Sequence, residues 1–115
     1  MAWDREHARA ETAWTIEDLC RREPTLAALR GRPITLDLLF RPDGGAPERF
    51  MKALAMFGYL GVEAQDETGP SVEVTVEAVA FTAEAIWQHE DITARIAGNN
   101  GFTPDGWGFF EPEDG

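Results

Sequence analysis

A chain of 115 residues, 43% hydrophobic and 27% charged, supplies material for one globular domain with a core and too little for two. Its one cysteine, Cys20, excludes an internal disulfide and a cysteine metal cluster, and no stretch reaches the ~20 apolar residues of a membrane helix. The formal charge of −11 is gathered in one half: residues 1–62 carry nine acids and nine bases, whereas residues 63–115 carry twelve acids against one base, Arg95.

Such an acidic half repels phosphate backbones and favours a basic partner; the plainer reading is that the acids keep a small domain in solution. The N-terminus, Met-Ala-Trp-Asp-Arg-Glu-His, lacks the apolar run of a secretory signal, so the expected compartment is the cytoplasm.

Residues 3–30 read as helix, broken into pieces. Trp3, His7, Ala10 and Trp14 fall on one helical stripe. Thr15 has the character of a fresh N-cap, with Asp18 three residues later and Trp14 and Leu19 placed for a hydrophobic staple. Pro24 ends or kinks what precedes it, a last turn carries Leu26 and Leu29, and Gly31 and Pro33 close the segment.

Ile34, Leu36, Leu38 and Phe40 alternate with Thr35, Asp37 and Leu39, the pattern of a half-buried strand. Pro42-Asp43-Gly44-Gly45 is loop chemistry. Pro47 suits a first helical position, and a helix follows to about Gly58 with Phe50, Ala53, Leu54 and Phe57 on its apolar face. Residues 60–67 form a weaker strand, and Gly69-Pro70 is the expected turn. The clearest strand is Ser71 to Phe81, with Val72, Val74, Val76 and Ala78 facing one way and Glu73, Thr75, Glu77 and Val79 the other.

Thr82 caps a helix running to about Gly98, its inward face Ala85, Ile86, His89, Ile92 and Ile96. Asn99-Asn100-Gly101 ends it, because Asn and Gly tolerate left-handed backbone. Phe102 to Phe110 is a last strand, and Pro104 within it argues for an edge. Glu111 to Gly115 are expected to fray.

From residue 33 the order is strand, helix, strand, strand, helix, strand. This predicts an α+β fold, a two-layer sandwich of ferredoxin-like βαββαβ topology with a four-stranded antiparallel sheet. Its first and third strands would lie side by side at the centre. Residues 1–32 form an N-terminal helical extension and residues 33–115 the ferredoxin-like domain.

Catalytic chemistry finds little support. His89-Glu90-Asp91-Ile92 lacks the second histidine of a zinc motif, and no glycine loop resembles a phosphate cradle. His89 reads as a packing or hydrogen-bonding histidine and Cys20 as a half-buried thiol. The adjacent acids Glu17-Asp18, Asp66-Glu67, Glu90-Asp91 and Glu113-Asp114 read as solvated; neighbours on a helix diverge by about 100° and do not converge on one cleft. The expectation is therefore no catalytic residues, no metal and no cofactor. RNA-binding sheets of this topology stack bases on exposed aromatics backed by bases. The outward positions here, Thr35, Asp37, Leu39, Glu73, Thr75 and Glu77, offer neither, which argues against direct RNA binding. The Trp3–Trp14 stripe keeps two readings: packing over the bare sheet face or the core edge, or a dimer or partner surface.

The most distinctive stretch is Phe102-Thr103-Pro104-Asp105-Gly106-Trp107-Gly108-Phe109-Phe110-Glu111. Its Asp-Gly-Trp-Gly followed by an aromatic resembles the closing motif of the bacterial family called regulator of ribonuclease E activity B. The likeness spans about residues 33–111, through Phe40 to Gly45, Phe50 to Gly58-Tyr59, and Ser71 to the helix after Thr82. It implies a ferredoxin-like fold and a non-enzymatic protein that binds ribonuclease E, lowering its activity without touching RNA. Trp107 then reads either as an indole covering a core edge or as a partner hot spot. The candidate protein-binding residues are Asp37, Glu73, Glu77, Asp105, Trp107 and Glu111. The expected partner is a protein, ribonuclease E or another basic one, with no membrane contact. An immunity module that blocks some other protein and a homo-oligomeric structural module stand as alternatives.

Overall fold

The computed structural model describes residues 3–110, as a mixed α and β architecture built on one open, four-stranded antiparallel sheet. In chain order the elements are α1 (Arg5–Arg22), α2 (Pro24–Ala27), β1 (Pro33–Pro42), α3 (Pro47–Met56), β2 (Leu60–Asp66), β3 (Gly69–Ala80), α4 (Ala83–Asn99) and β4 (Phe102–Phe110). The sheet order is β2-β3-β1-β4, so the two strongest apolar alternators occupy the centre and the Pro104 strand an edge, as expected. The expected fraying of Glu111 to Gly115 falls outside the described residues.

Strand β1 buries Ile34, Leu36, Leu38 and Phe40 on one side, where α3 and α4 pack. Phe50 of α3 joins the layers: its ring lies 5.2 Å from Phe40, edge to face, and 4.6 Å from Phe102, stacked. Phe50 and Leu54 are fully buried, as the helical spacing predicts. Phe57 is 65% exposed instead, because α3 has ended and Phe57 sits at its C-cap with φ −106° and ψ 11°, off the helical stripe. Tyr59 packs against the core after it.

Further expectations yield to tertiary structure. Helix α1 runs unbroken through Thr15; its cap is Asp4, whose Oδ1 accepts the His7 N–H at 3.1 Å. Nothing in residues 5–22 breaks a helix, and an interior Thr costs only a few tenths of a kcal/mol, ~0.5, so a second start has no driving force. The buried side of α1 is Thr12, Ile16 and Cys20, and the Trp14 side faces solvent, 62% exposed. Positions 12 and 14 lie about 200° apart around a helix, and only the former side lets Ile16 and Cys20 join Leu29 in the core. Trp3, before the helix, stacks on Trp87 at 5.7 Å.

The hairpin between β2 and β3 reverses at Glu67-Thr68, not at Gly69-Pro70. Asp66 Oδ1 accepts from the backbone N–H groups of Thr68 (2.8 Å) and Gly69 (3.2 Å) and fixes the turn there. Near its end β3 bulges: Ala78 takes φ 57°, the register against β1 shifts between Ile34 and Leu36, and the faces exchange. Val79 is thus buried and Ala78 exposed, the reverse of strict alternation.

Thr82 caps α4 as expected, its hydroxyl oxygen accepting the Ala85 N–H at 3.1 Å. The buried face of α4 is broader than expected and rotated: Trp87, Thr93, Ala94 and Ala97 join Ile86 and Ile96, while Ile92 is 42% exposed. The cause is α1, which packs alongside α4 and covers a second flank. The Arg5 guanidinium grips Asp91 with both ends of its fork, at 2.7 and 3.0 Å, across that seam.

The loops at one end of the sheet cross at two glycines. Gly101 (φ 73°) lends its carbonyl to the N–H groups of Asp43 (2.6 Å) and Gly45 (3.0 Å). A Cβ on Gly45 would lie 1.9 Å from the Asn100 carbonyl oxygen and 2.8 Å from Gly101 Cα, backbone atoms that cannot rotate away. Gly45→Ala is expected to lower unfolding stability by about 3 kcal/mol; chemical denaturation checks this, and a change below ~0.5 kcal/mol would contradict the close crossing.

Candidate functional site

Among the described residues, no helix packs on the side of the sheet away from α3 and α4. Its positions follow from register: Asp37 opposite Thr75, Leu39 opposite Glu73, and Leu60 and Val62 opposite Thr75 and Glu73 on the next strand. Phe110 lies opposite Thr35 at the other edge. Leu60 is 72% exposed, Val62 54% and Phe110 63%, values that fit an uncovered face. Aliphatic and aromatic surface here surrounds the carboxylates Asp37, Glu73 and Glu77, which make no ion pair among the described residues. Asp37 receives only the Thr75 hydroxyl, at 3.4 Å.

Among the described residues one cation stands on this face, and it is fully engaged. Arg41, near the end of β1, holds Asp66 of the β2–β3 hairpin with two parallel bonds (2.7 and 3.0 Å) and Asp105 of β4 through Nε at 2.9 Å. Its Nη1 also donates to the Gly69 carbonyl at 3.2 Å. The two carboxylates raise the Arg41 pKa further above its ordinary range, and the guanidinium with the Thr68 N–H holds Asp66 below the usual carboxylate range. A single side chain in a central strand thereby ties both sheet edges across the open side.

The candidate residues separate into two groups. Asp37, Glu73 and Glu77 lie on the open face, and Asp105 lies beside them, closed down by Arg41. Trp107 does not join them. It pairs with Leu38 on the core side of the sheet, lies tilted against Phe109 at 6.4 Å, and packs half-buried on the core cluster. Glu111 lies outside the described residues. The acids of the second half also spread over both layers: Glu84, Glu90 and Asp91 are on α4, and Asp91 is neutralised by Arg5 and Arg95.

Trp107 belongs to a cleft of about 540 Å³ between α1, α4 and β4. Sequence reasoning missed this feature because it depends on how α1 docks. Glu90, set aside as solvated, lines it and receives the Thr12 hydroxyl. Burial drives the Glu90 carboxyl up to about 7, more than the Thr12 hydrogen bond offsets, and nearby Glu11 adds to the rise. Its neighbour His89 bonds the Tyr59 hydroxyl through Nδ1 at 3.0 Å; burial lowers the His89 pKa and raises that of Tyr59, which favours a neutral imidazole accepting from the phenol.

Comparison with protein-family models gives no match to this chain, and comparison with curated proteins gives none either.

Two outcomes follow from these groups. In Arg41→Leu, amide exchange is expected to speed up in the Glu67-Thr68 turn and around Asp105 while the Phe50 core keeps its protection; uniform acceleration or none would contradict the clamp. Glu90 and His89 act oppositely with pH. A carboxyl raised from 4.5 to about 7 penalises the fold as pH climbs through that window, whereas a depressed imidazole loses its contribution as pH falls below 6.5. Glu90→Gln is therefore expected to stabilise the protein near pH ~8 by on the order of 2 kcal/mol, discounted for partial solvent access, with little change near pH ~4. Thermal melts at both pH values test it; equal effects would remove Glu90 as the cause.

Proposed function

We propose that this protein is a non-enzymatic, protein-binding regulator that docks a basic protein on the open face of its sheet, and that the domain from residue 33 has the ferredoxin-like topology. The element order and the sheet order β2-β3-β1-β4 support that topology. The observation that carries the function is the uncovered face itself, where Leu60, Val62 and Phe110 stand exposed beside the unpaired acids Asp37, Glu73 and Glu77. Apolar area contributes affinity once desolvated, and carboxylates without internal counter-ions select a positive partner and speed its approach. Nucleic acid is a poor fit, because Arg41 is already saturated by Asp66 and Asp105.

The resemblance of the Asp105-Gly106-Trp107-Gly108 segment to regulators of ribonuclease E favours an endoribonuclease as partner. In that reading Trp107 is a packing residue and the contact is made by the acids of β1 and β3. A second reading, self-association, draws on Met56 (85% exposed), Phe57, Leu60 and Val62, an apolar run beside edge strand β2.

Purified ribonuclease E from the same organism provides the test. Retention at low salt, loss on raising salt, and roughly tenfold weaker binding by Asp37→Lys combined with Glu73→Lys are expected. No retention at low salt would contradict the partner. A dimer by light scattering that Leu60→Asp abolishes would favour self-association.

A further inference from the structure

The sheet-face reading leaves the cleft between α1, α4 and β4 unused. The charged residues lining it, among the described residues, are all acids: Glu11 from α1, Glu90 from α4 and Asp105 from β4, the last with its carboxylate on Arg41. Indole and phenyl surface comes from Trp3, Trp107 and Phe109, and β1 adds only Leu38, Leu39 and Phe40. The volume of about 540 Å³ falls within the range of roughly 300–1,000 Å³ usual for small-ligand sites.

The three carboxylates differ in what already satisfies them. Asp105 is held by Arg41 at 2.9 Å, and Glu11, exposed on the rim, lies 3.3 Å from His7. Glu90 is half-buried and receives only a neutral hydroxyl, from Thr12. Arg5, which reaches across from α1 to α4, is committed to Asp91. A carboxyl without a counter-charge, walled by π faces, is the environment in which an organic cation gains both an ion pair and cation–π attraction.

We propose that this cleft binds an organic cation, an alkylammonium or alkylguanidinium, either free or carried on a basic residue, with Glu90 as its counter-charge and Trp107 as its aromatic wall. The raised carboxyl then has a role. With its pKa raised to about 7, Glu90 is partly protonated near neutral pH while the cleft is empty, and an arriving cation favours the ionised form and releases a proton. Of the other two acids lining the cleft, Asp105 is neutralised by Arg41, and Glu11 on the rim reinforces the attraction.

Titration of the full chain with butylguanidinium, followed by tryptophan fluorescence, tests this, with neutral butylurea as the matched control. A saturable response with a dissociation constant of ~1 mM or tighter is expected for the cation and none for the urea. Glu90→Gln is expected to weaken binding roughly tenfold, and Glu11→Gln, an exposed change that spares the fold, about threefold. An acetylated Gly-Arg-Gly amide separates the sources: tighter binding than butylguanidinium assigns the cation to a protein chain, and equal or weaker binding to a free molecule. No saturable response, an equal response to butylurea, or unchanged affinity in the two variants would overturn the proposal.

Discussion

An open antiparallel sheet covered on one side only must hold its edges without help from a second layer, and here Arg41 supplies that constraint. Two parallel bonds to Asp66 and a third contact to Asp105 span the sheet from the β2–β3 hairpin to β4. Charge-assisted bonds in this fork geometry fix direction as well as distance. Their consequence is electrostatic as well as structural. The clamp engages Arg41 with two acids, and leaves Asp37, Glu73 and Glu77 as carboxylates of the face without an ion pair among the described residues.

The acids of the second half are thus not one undivided field. Asp91 is bound by Arg5 and Arg95 at the seam between α1 and α4, and Glu90 is drawn out of water beside it. The total of −11 overstates what any single surface offers. What remains on the sheet is a small cluster of unpaired carboxylates among exposed apolar side chains, a combination suited to a protein surface bearing both lysine or arginine and aliphatic patches.

Much of the fold was legible because local signals agreed with one another. The alternation from Ile34 to Phe40, the Thr82 cap, the Asn100-Gly101 stop and Pro104 on an edge each have a local physical cause, and tertiary packing did not oppose them. The failures share a different cause. Strict alternation could not anticipate the bulge at Ala78, since a left-handed alanine is stabilised only by its surroundings. The orientation of α1 stays open in the sequence between a packed and an exposed tryptophan stripe, and the face that packs is the weaker series Thr12, Ile16 and Cys20. Polar Thr12 hid that face. It is buried because Glu90 gives it a partner, and this contact joins residues 78 apart in sequence.

The same contact explains why the cleft was invisible in the chain. Glu90 and Asp91 are neighbours with opposite fates, one shielded and unpaired, the other paired and ionised, and only the docking of α1 separates them. On the sheet, by contrast, the outward residues followed from alternation alone, so the acids Asp37, Glu73 and Glu77 could be placed before any coordinates.

The account stands or falls on which side of the sheet meets a partner. The most direct measurement is the amide NMR spectrum of the labelled protein during titration with a lysine- and arginine-rich segment of ribonuclease E, the proposed partner. Shifts confined to Thr35, Asp37, Leu39, Val62, Glu73 and Thr75 are expected. Shifts confined to α3 and α4, with those strand positions unmoved, would contradict it.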